Sequence, residues 1–255
     1  MAGLNRKPLQ GLFNIIRFNR HWYLLAAGVV GLIVWGMPYL PYALRMPAMV
    51  GLELTIGVMV LSLFVSWYIY DYSDLYAFTW LNQFPSGTVN RIINIHAGFD
   101  ESSPVLEHHF PASNLLVLDF YDATKHPEIS VERARKAYPA YPGTRHVQTN
   151  SMSLNKGETD LIFLILAAHE IRNTKERVEF FKQLAAALKP GGRIVVLEHQ
   201  RDWTNLLAYN IGAFHFLSRN TWLYTFKEAG LCIGKEWKQT PFITGFILKQ
   251  DGIAS

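Results

Sequence analysis

Two neighbouring histidine and carboxylate pairs are the groups in this sequence best suited to chemistry. His169-Glu170 follows one apolar run, and Glu198-His199 ends another. Histidine titrates near neutral pH, so it can accept a proton from a hydroxyl or stabilise a phenolate. We therefore expect His169, Glu198 and His199 to be catalytic, with the alternative that the histidines only bond backbone groups at strand ends.

The same residue types are also metal ligands. Histidine and carboxylate groups together suit zinc or iron. They occur at five positions near predicted strand ends: His96, His169, Glu170, Glu198 and His199. The sequence contains no H-E-x-x-H, the pattern that places two histidines on one helix face. We therefore expect no bound metal.

Short apolar runs alternate with helical stretches after residue 87 and would position these groups. This alternation predicts βαβ units on a mostly parallel sheet. The predicted strands are Arg91–His96, Leu115–Phe120, Arg145–Gln148, Asp160–Ala167 and Arg193–Glu198. Unbroken runs such as residues 161–166 indicate strands covered by helices on both faces. The polar groups that end the fourth and fifth strands should therefore lie side by side.

Helices and a final hairpin complete the predicted α/β domain. A helix from about Thr174 to Leu188 should end at residues 189–192, because proline cannot continue a helix and glycine accepts the conformation needed to leave it. Other predicted elements are helices at Trp203–Phe216 and Thr221–Ala229 and an antiparallel hairpin at Leu231–Trp237 and Phe242–Lys249.

The chain before residue 82 has the composition of a membrane unit. Half of all residues are hydrophobic and 17% are charged, against about 25% charged in an average soluble domain. Trp22–Leu44 carries no formal charge, and Met46–Tyr70 carries only Glu53. Each run exceeds the roughly 20 residues that a helix needs to cross a bilayer. Residues 22–82 are therefore predicted to form a transmembrane helical hairpin, with a buried soluble hairpin as the alternative.

Basic residues set the orientation of the predicted hairpin. Four of them, Arg6, Lys7, Arg17 and Arg20, precede the first run, and only Arg45 lies in the connecting turn. Basic loops stay in the cytoplasm. We expect an integral membrane protein of the bacterial inner membrane, with two spans and both termini cytoplasmic.

Residues 1–21 form a basic segment with an apolar face. Leu9, Leu12, Phe13 and Ile16 repeat at helical spacing, which predicts an amphipathic helix on the inner leaflet. The net charge of +4 is modest, and a basic cluster before an apolar run suits a membrane surface. The predicted partner is therefore the lipid bilayer and not nucleic acid; the oligomeric state is unknown.

The α/β part resembles class I S-adenosylmethionine-dependent methyltransferases. The resemblance is carried by Leu-Lys-Pro-Gly-Gly-Arg at 188–193, which commonly enters the fifth strand in that family, and by Glu-Ala-Gly-Leu at 228–231 before the hairpin. It covers residues 89–250. It implies a Rossmann-like methyltransferase sheet with a terminal antiparallel hairpin in a domain at 88–255, and S-adenosyl-L-methionine as cofactor.

The resemblance places the cofactor at the carboxyl ends of the first strands, where open parallel sheets bind ligands. The family loop D-x-G-x-G-x-G aligns with residues 94–100, in which only the middle glycine, Gly98, is retained. Asn94, His96 and Asp100 are then expected beside the cofactor. Asp100 would attract the ammonium or sulfonium charge, with a solvated loop acid as the alternative.

Three residues after the second and third strands complete the implied cofactor site. Asp119 matches the acid that accepts both ribose hydroxyls, with Asp122 as a rival; a carboxylate accepts two donors at once. Asn150 is expected to bond the adenine edge and Met152 to pack on its face. The alternative is that both are loop residues without such a role.

The acceptor zone of the family corresponds to residues 203–222, which are rich in apolar and aromatic side chains. Such a lining suits a lipid-like or ring-bearing substrate, although core packing explains part of it. A membrane anchor would raise the effective concentration of the domain near membrane-dissolved substrate. We expect methylation of a hydrophobic membrane-associated small molecule: a quinone precursor, a polyene or phenolic lipid, or a lipid head group.

Two alternatives belong to other classes. The missing glycines favour a non-catalytic membrane scaffold with a degenerate methyltransferase fold, whereas Asp119 and the polar strand ends oppose it. A dinucleotide-dependent oxidoreductase would need G-x-G-x-x-G after the first strand, where His96 and Asp100 stand instead.

Overall fold

The computed structural model describes residues 6–125 and 128–252. It begins with three helices: α1 (Gln10–Phe18), α2 (Arg20–Gly36) and α3 (Tyr42–Trp67). The stretches Arg20–Tyr39 and Tyr42–Tyr72 are long and apolar enough to cross a membrane, with mean hydropathies of 1.5 and 2.2. In the most apolar part of each stretch, 0% of the residues of the first and 6% of those of the second are buried. The apolar side chains therefore face outward, whereas a core helix of a soluble protein would bury them.

The turn between α2 and α3 follows from its prolines. Helix α2 ends at Gly36, one short 3-10 turn spans Met37–Tyr39, and Pro41 precedes α3. Proline lacks the N–H that would continue the helix. The Arg45 side chain donates to the carbonyls of Leu40 and Pro38, both at 3.1 Å, and so satisfies groups that the turn leaves unpaired.

A seven-stranded sheet forms the second part of the molecule. Its strands are β1 (Arg91–His96), β2 (Asn114–Asp119), β3 (Arg145–His146), β4 (Thr159–Ile165), β5 (Leu188–His199), β6 (Leu231–Lys238) and β7 (Ile243–Gln250). Their order is β3-β2-β1-β4-β5-β7-β6. The first five pair in parallel, and β7 pairs antiparallel with both β5 and β6. The predicted Rossmann-like sheet with a terminal antiparallel hairpin is confirmed.

Helices connect these strands: α4 (Ser103–His109), α5 (Ile129–Ala137), α6 (Thr174–Ala187), α7 (Trp203–Tyr209) and α8 (Arg219–Glu228). Three begin at a side-chain cap. Asn173, Asp202 and Ser218 each accept a hydrogen bond from a backbone N–H in the first turn of α6, α7 and α8. Such caps satisfy donors that the start of a helix leaves open.

Buried side chains cover both faces of the sheet. On one face Phe180, Phe181, Trp222 and other residues of α6 and α8 pack over it. The other face is covered by the segment that follows α3, through Leu75, Phe78, Trp80, Leu81 and Phe84. The sequence assigned most of this segment to the hairpin at 22–82. It packs on the sheet because its aromatic side chains bury apolar strand surface there.

Three predicted elements differ in detail. The Lys-Pro-Gly-Gly turn lies inside β5, where the pairing with β4 shifts register between Thr159 and Leu161. A Cβ on Gly192 would lie 2.7 Å from the Thr159 carbonyl oxygen, so glycine permits this close approach. The predicted helix at 203–216 breaks at Asn210, whose φ is 50°, and continues as a 3-10 helix at Asn210–His215. The predicted third strand shortens to two residues.

Candidate functional site

The carboxyl ends of β1, β2, β4 and β5 meet at one edge of the sheet. Two non-glycine residues beside this edge have left-handed backbone conformations: Phe78 (φ 53°) and Leu166 (φ 52°). Such conformations cost about 1–3 kcal/mol each and persist where surrounding packing enforces them, commonly at functional sites. Both residues line a cavity at this edge.

His169 and Glu198 form a buried pair between the ends of β4 and β5. The Nδ1 of His169 lies 2.7 Å from Oε2 of Glu198. The other oxygen, Oε1, accepts from the backbone N–H groups of Ala167 (3.1 Å) and His169 (3.2 Å). Glu198 is completely buried, and His169 is 8% exposed. The carboxylate therefore fixes both the ring and the backbone at the end of β4.

The surrounding carboxylates keep His169 charged. Burial lowers the pKa of His169, but the Glu198 carboxylate and hydrogen bonds with Glu170 and Glu198 outweigh it and raise the pKa to about 10. Burial raises the pKa of Glu170, but bonding to His169 and His215 outweighs it and holds that pKa far below its usual range. An imidazolium has no free lone pair. This charge state favours stabilisation of negative charge, the second of the two roles predicted for His169.

His215 joins this group from the 3-10 helix after α7. Its Nε2 lies 3.4 Å from Oε1 of Glu170, and the same oxygen lies 3.3 Å from Nε2 of His169. One ligand atom from each of the three residues lies within 4.8 Å of the others, close enough for one metal ion. The Arg172 guanidinium contacts the His215 ring. A metal ion bound next to this positive charge is electrostatically disfavoured. An ion-pair network is the arrangement this geometry favours.

His199 differs from His169 because the hydrogen-bond partners of its ring, within residues 6–125 and 128–252, are the uncharged side chains of Tyr70 and Asn205. Its Nδ1 donates to Oδ1 of Asn205 at 3.0 Å, which leaves Nε2 to accept from the Tyr70 hydroxyl at 3.0 Å. The Phe216 ring stacks on it at 4.5 Å. Burial lowers its pKa to about 3, against the opposing bond with Asn205. His199 is therefore a neutral imidazole that links β5 to the end of the second apolar helix.

The loop after β1 is tied by its polar side chains. The Asn94 amide donates to the hydroxyls of Ser102 (2.9 Å) and Ser103 (2.8 Å). Oδ1 of Asp100 accepts from the backbone N–H groups of the same two serines at 2.8 and 3.0 Å. Gly98 has φ +94°, which disfavours a side chain. Asn94 and Asp100 thus shape the loop, and Gly98 gives it its left-handed turn.

Asp119 ends β2 as a buried carboxylate, 1% exposed. Its Oδ1 accepts from the Tyr121 N–H at 2.9 Å, and its Oδ2 forms an ion pair with Arg135 on α5. His146 Nδ1 lies 3.4 Å from the same Oδ2. The Arg135 guanidinium therefore covers the edge at which the sequence predicts ribose binding.

Two buried polar atoms beside Asp119 have no hydrogen-bond partner among the described residues: Nε2 of His96 and Oδ2 of Asp100. The Gly98 N–H donates to Nδ1 of His96 at 3.1 Å, so the ring proton lies on Nε2. Burial also lowers the pKa of His96 and keeps it neutral. A buried donor and a buried acceptor without partners among the described residues thus lie near the Asp119 carboxylate, which can accept hydroxyls. This donor set fits an adenosylated amino acid.

The space at this donor set is small. The cavity here has a volume of about 90 Å³ and is lined by His96, Gly98, Asp100, Asp119 and Arg135, among others. This volume is below the range of about 300–1,000 Å³ typical of ligand sites. A Cβ on Gly98 would lie 3.0 Å from the Arg135 side chain, which shows how closely α5 approaches the loop. The polar groups suit the cofactor, and the Arg135 side chain occupies part of the crevice.

The last two predicted cofactor residues lie away from this crevice. Asn150 is exposed on the loop after β3. Met152 is 3% exposed and packs in the core on the α6 side of the sheet, where it also borders an open groove with His146. The structure therefore brings Asn94, His96, Gly98, Asp100 and Asp119 together, and places Asn150 and Met152 apart from them.

A larger cavity of about 230 Å³ lies next to the first and shares His96 and Phe99 with it. Its walls are mostly apolar or aromatic. They come from α1, the segment after α3, the ends of β1 and β4, and α5: Ile15, Phe18, Tyr70, Tyr76, Phe78, Ile95, Ala97, Ile165, Leu166, Val131 and Ala134. Glu170 also lines it and carries the histidine network to the cavity wall.

One corner of this cavity is charged. Arg6 forms an ion pair with Glu101 at 3.2 Å, and its guanidinium lies 3.9 Å from the centre of the Tyr76 ring. Burial raises the pKa of Glu101, and the Arg6 charge opposes that shift. Arg6, which precedes α1, thereby closes the cavity against the loop after β1.

Sequence reasoning missed several of these residues. Glu170 was paired with His169 and named as a possible metal ligand but not as a catalytic residue, and the site was not expected to include Arg135, Tyr70, Tyr76 or Glu101. Glu170 carries a signal, since it adjoins His169 at a strand end. The others belong to helices or loops distant in sequence from the motifs they meet, so no local pattern marks them.

Residues 87–224, more than half of the chain, match the ubiE/COQ5 methyltransferase family. A comparison with curated proteins gives no match.

Among solved structures, an S-adenosylmethionine-dependent methyltransferase from Mesorhizobium loti is similar at 18% identity and a TM-score of 0.46, over 66% of this chain and 94% of that one. One from Aquifex aeolicus is similar at 14% identity and a TM-score of 0.47, over 62% and 81%. One from Leishmania major is similar at 16% identity and a TM-score of 0.45, over 87% and 83%.

Proposed function

This chain belongs to the ubiE/COQ5 methyltransferase family, and we propose that it methylates a hydrophobic, ring-bearing molecule dissolved in a membrane. It is an enzyme, and S-adenosylmethionine is its methyl donor. When bound, this cofactor supplies a methyl group that positive sulfur has already activated, so positioning of the acceptor does most of the catalytic work.

The cavity of about 230 Å³ is the observation that carries this proposal. Its mostly apolar lining with a few polar groups suits a ring-bearing acceptor, and its volume, although below the range of about 300–1,000 Å³ typical of ligand sites, exceeds that of the first cavity. Helix α1 provides one wall, with Ile15 and Phe18 facing the cavity and Phe13 62% exposed on the other side. The acceptor site is thus built partly from the segment proposed to lie on the bilayer.

The outward-facing apolar surfaces of α2 and α3 support a membrane location. Leu24, Leu32 and Trp35 on α2 are 69%, 68% and 71% exposed, and Leu54 on α3 is 64% exposed. In water such surfaces would be costly. Arg17 and Arg20 are exposed near the junction of α1 and α2. Basic residues at this position suit an anionic leaflet. Two spans would hold the catalytic domain at the cytoplasmic surface.

Asp119, Asp100, His96 and the backbone at Gly98 would hold the cofactor. Asp119 accepts hydroxyls, the free oxygen of Asp100 accepts an ammonium, and the Nε2–H of His96 donates. In this proposal the Arg135 side chain leaves Asp119 when the cofactor binds. Arg135 is 30% exposed at its side chain, so it can move into solvent.

Glu170 would meet the acceptor. It lines the apolar cavity as an ionised carboxylate, because His169 and His215 hold its pKa low. An ionised carboxylate there accepts a hydrogen bond from an acceptor hydroxyl and stabilises the positive charge that the acceptor atom gains. His169, fixed by Glu198, acts through Glu170 and is a positioning residue.

The test is methyl transfer in reconstituted vesicles that contain a total lipid extract. We expect label from methyl-labelled S-adenosylmethionine to appear in the organic phase, in an apolar product separable by mass. Ile15→Trp should reduce the labelling because it fills the cavity. Phe13→Trp, on the exposed face of the same helix, is the matched control and should leave labelling unchanged. Label found only in water-soluble molecules or in protein would refute the proposed substrate class.

A further inference from the structure

The segment from Trp203 to His215 exposes a row of large apolar side chains. Trp203, Leu207, Ile211 and Phe214 are 80%, 67%, 78% and 64% exposed. Trp203 and Leu207, four residues apart, lie on one side of α7, and Ile211 and Phe214, three residues apart, lie on one side of the 3-10 helix that follows the break at Asn210. Asn205, Ala208 and Ala213 are buried on the opposite side. An exposed apolar row of this size marks a surface that contacts a protein, a ligand or a membrane.

The buried side of this segment packs on the end of α3. Ala208 and Tyr209 belong to the same apolar cluster as Val65 and Ile69. The apolar row is therefore next to the place where the second predicted span meets the α/β domain. Just before that place, Leu61 and Phe64 of α3 are 42% and 58% exposed.

We propose that the Trp203–His215 segment lies in the interface of the same phospholipid bilayer, with this row buried among the upper acyl chains. The inference rests on the membrane location proposed above. Continuity with the exposed end of α3 identifies the occupant as lipid, because a bilayer around α3 extends to the surface beside it. Tryptophan favours the headgroup level, and amphipathic segments bury their apolar face at this boundary. Arg201 is exposed just before the segment, as an anionic surface favours.

This placement connects the bilayer with the catalytic edge. The segment ends at His215 and is followed by Phe216, which stacks on His199. The His215 ring lies 5.2 Å from that of His169. The segment and the residue that follows it therefore place two rings against the histidines of the site.

The experiment places an environment-sensitive fluorophore on one cysteine in the full-length chain. Cys232→Ser removes the native thiol, the only one in the sequence, and Leu207→Cys adds one on the apolar row. The protein is reconstituted in phosphatidylcholine and phosphatidylglycerol vesicles with or without brominated acyl chains. Leu32→Cys in α2 and Lys227→Cys on the exposed surface of α8 are the matched controls.

We expect a blue shift and loss of fluorescence with brominated lipid at positions 207 and 32, and neither at 227. Quenching at 32 without quenching at 207 would overturn this inference and leave the membrane anchor standing. No quenching at either position would overturn the proposed membrane location, and this inference with it.

Discussion

At the scale of single residues, the site depends on a histidine that its neighbours keep protonated. His169 has Glu198 at 2.7 Å on one ring nitrogen and Glu170 at 3.3 Å on the other. Its pKa rises from 6.5 to about 10 on folding. A group whose pKa rises on folding stabilises the native state fully below its unfolded pKa. That contribution is lost as the pH rises through the folded value.

Glu198→Gln tests this charge state. Glutamine keeps the acceptor for the backbone but loses the charge, so unfolding should become easier by about 3 kcal/mol near neutral pH, as when other buried ion pairs are broken. The wild-type melting temperature should fall between about pH 6.5 and pH 10, because in this range the unfolded chain releases the His169 proton that the folded protein keeps. The variant should lack most of this slope. Thermal melts across that range measure both effects.

The control for this prediction is Glu236→Gln, which removes the partner of Arg219 in an exposed ion pair. Exposed pairs contribute at most about 1 kcal/mol, so its melting temperature should change little. If both variants behave alike, the buried pair has no special role.

Residue types and strand ends were enough to predict that His169 and Glu198 would be neighbours. It was not predictable that His169 is charged and His199 neutral, because the charge of each ring depends on its burial and on partners such as Asn205 and Tyr70. The Arg135 contact with Asp119 was equally hidden, since it needs the orientation of a helix 16 residues further along the chain.

At the scale of elements, α1 is docked on the α/β domain by specific contacts. The Asp71 carboxylate accepts from the N–H groups of Gly11 and Leu12 at 2.7 and 2.8 Å, which satisfies the start of the helix. Asn14 accepts from the Tyr138 hydroxyl at 2.9 Å. Helix α1 therefore closes the acceptor cavity in a fixed position.

Gly11→Leu should detach this helix. A Cβ at position 11 would lie 2.4 Å from Cβ of Tyr70, so the helix must move away. We expect faster trypsin cleavage after Arg17 and Arg20 and a loss of lipid methylation. Gly28→Leu in α2 is the matched control, because a Cβ there meets nothing within 4 Å. Equal cleavage rates in the two variants would show that α1 is not held as described.

The apolar pattern predicted most elements to within a few residues, because each buried strand is a continuous apolar run. It failed where the backbone departs from regular geometry. Pro190 and Gly191 were predicted to form a turn, yet β5 continues across them, with Leu188 and Arg193 on either side paired to β4. The break at Asn210 depends on a left-handed residue that carries no glycine signal.

At the scale of the whole molecule, the apolar helices and the sheet are joined through a shared core. Leu75, Trp80 and Phe84 cover the sheet directly after α3, and α1, before the hairpin, contacts the same domain through Asn14 and Tyr138. The start of α2 and the end of α3 are therefore on the same side. The even number of predicted spans already implied this common side. The shared core was not predicted, because aromatic residues after a span also suit an interfacial belt.

The most direct test of the whole account is calorimetric titration of S-adenosylhomocysteine into the full-length chain in lipid nanodiscs. We predict saturable binding by the wild type. Asp119→Ala should bind at least about tenfold more weakly, because a hydrogen bond to a charged group contributes about 1.5–3 kcal/mol. Arg135→Ala should bind more tightly, because no guanidinium competes for Asp119. Absence of binding heat in both the wild type and Arg135→Ala would contradict a cofactor site at the ends of β1 and β2.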